Sequence, residues 1–215
     1  KEPGMMKRVF ATVALTLLAT AAQAFDLDGV SIPDQQTVFG KDLSLNGAGT
    51  RMAMGAKIYL AALYLPSKSQ SADVAISTPQ PRRMMLVFRR SVRASVVVAT
   101  LRDGIRLNAA EGEMDALQPA IAQLETTLND LYETRPGDKM ALDIAADGSV
   151  NIFYNGVPSG SLSGPHIGPA MLKIWLGKTP ANVALKNELL AGANYAKLGK
   201  ERTSAFDSLF EGFSP

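Results

Sequence analysis

Residues 46–65 read Asn46-Gly47-Ala48-Gly49-Thr50-Arg51-Met52-Ala53-Met54-Gly55-Ala56-Lys57-Ile58-Tyr59-Leu60-Ala61-Ala62-Leu63-Tyr64-Leu65, and Pro66 follows. Small residues, β-formers and a closing proline mark a long strand pair over 50–65, opened by Gly47-Ala48-Gly49. Side chains of a strand alternate between faces. At period two, Arg51, Ala53, Gly55, Lys57, Tyr59, Ala61, Leu63 and Leu65 share one face, and Met52, Met54, Ala56, Ile58, Leu60, Ala62 and Tyr64 the other. The second face is mostly large and apolar, which suits packing under helices. The first combines small residues with an arginine, a lysine and a tyrosine. Small residues leave space, while a guanidinium and a phenol are fixed donors able to hold a carboxylate or enolate oxygen at the end of an apolar slot. The same pattern also fits a solvated sheet face with Arg51 and Lys57 in water, and a bulge at Gly55 would break the register.

Working outward, residues 25–48 read as short strands, 30–33 and 38–45, bounded by Pro33-Asp34 and Asn46-Gly47. A short helix near 72–76 precedes a strand over 84–90. Val97, Leu101 and Ile105 recur at helical spacing. Met114, Leu117, Ile121, Leu124, Leu128 and Leu131 form a second apolar stripe, with Pro119 in the first turn of its main part. A hairpin over 140–144 and 150–154 surrounds Ala146-Asp147-Gly148, and a Gly/Ser-rich strand runs on to Gly164. A helix over 169–176 stops at Gly177, and Thr179-Pro180 starts another that ends at Gly192. Long hairpins, a central helical pair and terminal helices make an α+β protein of one domain.

Of the 215 residues, 47% are apolar and 20% charged, an ordinary globular composition. The absence of cysteine removes thiol nucleophiles, Cys-based zinc sites and iron–sulfur clusters, and the single histidine, His166, does not furnish a multi-histidine metal centre. No metal and no cofactor are expected. No P-loop, GxSxG or dinucleotide fingerprint is present. Met6-Lys7-Arg8, the apolar run 9–22 and Ala22-Gln23-Ala24 have the pattern of a secretory signal peptide cleaved after Ala24. Residues 1–4 stand ahead of its start. The apolar run is shorter than the ~20 residues of a spanning helix, so no membrane span is expected after cleavage. Residues 1–24 carry Lys1, Lys7, Arg8 and Glu2, which leaves the remainder formally neutral. That balance argues against nucleic acid or an anionic membrane as the main partner. The expectation is a periplasmic or secreted protein, with a domain over 25–192 and a tail over 193–215 whose Phe206, Leu209, Phe210 and Phe213 form an amphipathic docking segment.

Residues 46–51 and 57–65, together with Leu172-Lys173-Ile174-Trp175-Leu176-Gly177 ahead of Pro180, resemble chalcone isomerase-like proteins, in the exported bacterial branch of that family. The resemblance runs from about Asp26 to Leu190. It implies an open-faced β-sandwich: a large antiparallel sheet, a layer of helices, and a ligand cleft between them. The family holds enzymes that close a chalcone into a flavanone, fatty-acid-binding proteins and other non-catalytic members. The enzymes' catalytic arginine falls on Arg51. Their threonine falls on Tyr59, and their tyrosine and asparagine fall at Ser95 and Arg102, so only the arginine is kept. No catalytic residue is assigned. An Arg–Tyr pair in these places resembles the fatty-acid-binding branch, where such a pair grips a carboxylate.

The reading is therefore an exported, non-catalytic protein for a fatty-acid-like amphiphile with an anionic head group. Arg51, Tyr59, Lys57, Ser95 and Arg102 are its candidate ligand-binding residues. An isomerase acting on a chalcone-like enone is one alternative, and an envelope protein-interaction module docking through its tail is another. Arg89, Arg90 and Arg93 fit a solvated loop or an anion-binding rim. Trp175 reads as core beneath the sheet.

Overall fold

The computed structural model describes residues 24–195 except Pro165. The expected signal sequence and nearly all of the tail lie outside the described residues. The ribbon β1 (Ala24–Leu27) and β2 (Val30–Pro33) leads into β3 (Gln35–Val38), β4 (Lys41–Ala53) and β5 (Ala56–Leu65). The hairpins among these strands turn through Asp28-Gly29, Phe39-Gly40 and Met54-Gly55, and both residues of each pair are at positive φ. Such turns match the right-handed strand twist. Helix α1 (Ala72–Ser77) and β6 (Arg82–Phe88) follow, then the two-residue β7 (Val92–Arg93), which runs into α2 (Ala94–Asn108). Next come α3 (Glu113–Asn129), β8 (Glu133–Thr134), β9 (Lys139–Ile144), β10 (Val150–Tyr154), β11 (Val157–Leu162), α4 (Ile167–Leu176) and α5 (Val183–Leu189). A 3-10 turn, Gly192–Asn194, ends the described chain.

The large sheet is seven-stranded and antiparallel, in the order β11-β10-β9-β6-β5-β4-β3. The expected α+β sandwich is what forms. The pairing of β6 with β9 spans the α2–α3 hairpin, so those two helices cross one face of the sheet together with α4 and α5.

Both faces are covered, and the assignment of faces differs from the sequence reading. Ala61, Leu63 and Leu65, with Tyr59, pack against the helices, in one core with Leu101, Ile105, Leu124, Met171 and Trp175. The large face expected under the helices, Leu60, Ala62 and Tyr64, instead packs on the β1–β2 ribbon, with Leu27, Ile32, Leu43 and Leu45. The reason lies in β4. A Cβ at Gly47 would collide with the carbonyls of Glu188 and Leu189, and one at Gly49 with the Glu188 side chain. Only a glycine stripe lets the end of α5 sit directly on the strand. The small residues thus accommodate a helix end rather than leave a slot.

Two boundaries also shift. Helix α5 starts at Val183, because Asn182 caps it by accepting from the Leu185 amide at 2.8 Å, rather than at Thr179-Pro180. Helix α3 starts at Glu113, which places Pro119 inside it. There Pro119 and Asp115 are both exposed, so water can meet the carbonyl that proline leaves unbonded.

Candidate functional site

Arg51 and Tyr59 are direct cross-strand partners in the β4–β5 ladder and share the helix-side face. Tyr59 packs edge-to-face on Phe88, its partner in β6, with ring centroids 6.3 Å apart. Its phenol oxygen accepts a hydrogen bond of 2.9 Å from the indole N–H of Trp175, which α4 delivers from the opposite layer. Trp175 is core, as expected, but its buried N–H also needs a partner, and Tyr59 supplies one. A phenol that accepts from the indole still carries one O–H donor of its own. Burial pushes the Tyr59 phenol above its ordinary range, and the Trp175 hydrogen bond together with the charge and hydrogen bond of Arg51 only partly oppose this. Tyr59 therefore stays neutral and keeps its proton at physiological pH. Arg51 is partly buried and spends one guanidinium N–H on the carbonyl of Met52. Its remaining donors, with the Tyr59 proton, form a compact set suited to an anionic oxygen.

Lys57 does not join them. The ladder pairs Arg51 with Tyr59 but Met52 with Lys57, so Ile58 is a bulged extra residue. One extra residue reverses the alternation, and Lys57 emerges on the ribbon side in an ion pair of 2.6 Å with Asp28. Asp28 also accepts from the Thr50 hydroxyl at 2.8 Å. Burial raises the Asp28 carboxyl, but Lys57, Thr50 and the Arg89 charge together outweigh it and hold the group below its ordinary value. The expected irregularity at Gly55 is a tight turn, and the bulge falls three residues later.

Ser95 is exposed in the first turn of α2. Arg102, two turns further along α2 on the same face, is exposed and pairs with Glu125 of α3 at 3.3 Å, which ties the two helices together on their outer side. The structure thus joins Arg51 with Tyr59 and separates both from Lys57 and Arg102. His166 stands exposed at the start of α4. Clefts bounded by described residues open at the β10–β11 edge of the sheet, between α3 and β11, and in the helix layer. One of about 500 Å³ lies between α1, the end of α2 and the α4–α5 connection, walled by Ile76, Leu107, Leu176 and Lys178.

Sequence reasoning missed the Trp175–Tyr59 hydrogen bond, which joins residues 116 positions apart. It also missed the role of Asn46. This residue is wholly buried at a second bulge of β4, where its amide donates to the carbonyls of Ser69 and Leu189 and accepts from the Ser69 amide. The polar Asn ahead of a glycine stripe was the available signal.

A large curled antiparallel sheet with a helix layer on one face defines a sandwich of chalcone isomerase type. The chain belongs to the chalcone isomerase-like family, whose model matches residues 24–191. A fatty-acid binding protein of Arabidopsis thaliana has a similar fold, with a TM-score of 0.61 at 12% identity, over 80% of this chain and 95% of that one. No protein of curated function matches the sequence.

Proposed function

We propose that the protein binds a small amphiphile with an anionic head group, of fatty-acid type, and that it does so after export. The observation that carries this reading is the Arg51–Tyr59 pair, a guanidinium and a phenol set side by side across the ladder, with the phenol oxygen held by the Trp175 N–H. The name of the Arabidopsis neighbour supports the choice of ligand class, and family membership supports the fold that would present it. A carboxylate takes the Arg51 guanidinium and the Tyr59 hydroxyl, and the chain runs along Phe88 and Trp175. Since α4 and α5 pack on this face, the helix layer must shift to admit the chain. Hydrogen bonds to a charged head group contribute about 1.5–3 kcal/mol, and each buried methylene ~0.8 kcal/mol. Chain burial therefore sets affinity, and the pair sets head-group preference. Burial holds the Tyr59 phenol above its ordinary range, so it stays neutral and the carboxylate state of the ligand governs pH dependence.

Trp175 is the only tryptophan of the chain and touches the proposed site, so its emission reports occupancy directly. Titration with dodecanoate is expected to shift that emission saturably. Arg51→Ala should weaken binding about tenfold or more and Tyr59→Phe somewhat less, in line with one charge-assisted contact each. Equal affinity of both variants and the parent would remove the pair from the site. Mass spectrometry of protein from the exported fraction checks the rest: the expected chain starts at Phe25 and carries a fatty acid that Arg51→Ala lacks.

A further inference from the structure

The end of the β4–β5 hairpin has no place in the ligand reading. Strand β6 pairs with β5 only from Tyr59 onward, and β3 pairs with β4 only over Lys41–Ser44, so residues 52–57 project past both neighbouring strands. At the tip of this projection Met54 is 103% exposed, and Met52 is 40% exposed beside it. Met54 also holds φ of 49° as the first residue of its turn, a position that Asn, Asp or Gly fills at lower cost. A bulky apolar residue that is both strained and fully exposed is poorly explained by folding, and points to a contact made elsewhere.

The surroundings specify that contact. Arg51 and Lys57 flank the tip in sequence, and Arg89 and Arg90 leave β6 beside it, where the Arg89 amide bonds the Ile58 carbonyl at 2.9 Å. The acidic groups at this end are already held: Asp28 by Lys57 and Thr50, and Asp138 by Tyr154, Asn155 and the Arg135 amide. Formal neutrality of residues 25–215 is an average over the whole surface, whereas three arginines, Arg51, Arg89 and Arg90, collar two methionines here beside the Asp28-paired Lys57. An apolar tip ringed by positive charge matches the boundary between anionic headgroups and acyl chains.

We infer that the β4–β5 hairpin docks the protein on anionic lipid bilayers, with Met52 and Met54 in the headgroup–acyl boundary and Arg51, Arg89 and Arg90 against the headgroups. Arg51 belongs to both collar and ligand pair, so docking would place the site at the lipid surface from which an amphiphile is drawn. The use of docking rests on the proposed ligand reading. The docking itself does not.

Flotation with vesicles of equal phosphatidylglycerol and phosphatidylcholine, against phosphatidylcholine alone, tests it. The parent should float with the anionic vesicles only, and less so as salt rises. Met54→Gly, which relieves the turn and so preserves the fold, should lower vesicle affinity roughly tenfold, the loss expected for one buried methionine. Arg89→Gln with Arg90→Gln should lower it on the order of tenfold. Both variants should bind dodecanoate in solution as the parent does. A parent that stays with the soluble fraction, a Met54→Gly protein that floats as well as the parent, or equal flotation on neutral vesicles would each overturn the inference. A protein that floats but takes up no dodecanoate overturns the ligand reading and leaves docking standing.

Discussion

At the residue scale, single polar groups decide how this structure closes. Asn46 is the clearest case, because its side chain meets three main-chain groups from two distant segments in a wholly buried place. Removing it leaves those groups dry and unbonded, which is costlier than the bonds themselves. Asn46→Ala is expected to destabilise the fold by roughly 3 kcal/mol in urea denaturation. A loss under about 0.5 kcal/mol, the range of ordinary surface changes, would mean that water replaces the amide. Tyr59 shows the same logic in the candidate site: burial keeps its phenol neutral, and the Trp175 indole N–H holds its oxygen in place.

At the element scale, the contact of α5 with β4 has a narrow tolerance. The Glu188 and Leu189 carbonyls occupy the space that any side chain at Gly47 would need, and these are backbone atoms that cannot rotate away. Gly47→Ala is therefore expected to cost about 3 kcal/mol, the upper end of overpacking. It should also loosen α5, seen as faster amide exchange over 183–189 than over α2. Unchanged exchange there would show that the sheet, not the helix, yields. Leu185 and Leu189 anchor the other side of α5 in the core, so the helix has little freedom to retreat.

At the scale of the whole molecule, curvature of the sheet is held by a charged cluster on the ribbon side. Arg83 of β6 makes a two-point ion pair with buried Asp143 of β9, at 2.6 and 2.7 Å, and also donates to Gln36 of β3 at 2.7 Å. A flat sheet would hold β6 and β3, three strand spacings apart, at roughly 14 Å, so this bond requires the sheet to curl. Removing one partner of such a pair strands a buried charge, and Arg83→Leu should cost about 3–5 kcal/mol in denaturant unfolding. Arg83→Leu combined with Asp143→Leu should recover most of that loss. Additive losses in the double variant would instead mark the pair as a net source of stability.

The α+β class, the antiparallel hairpins and the helix pair of the middle segment were legible in the sequence alone. These follow from local rules: apolar period, turn residues with positive φ, and helix stops. Long-range packing settled which sheet face meets the helices, where Lys57 points, and what satisfies the Tyr59 oxygen. A bulge at Ile58 moves a lysine across the sheet, and a glycine stripe looks alike whether it lines a slot or receives a helix. Such choices depend on atoms more than a hundred positions away, as Trp175 and Glu188 are from β4 and β5, and sequence periodicity carries no signal at that range.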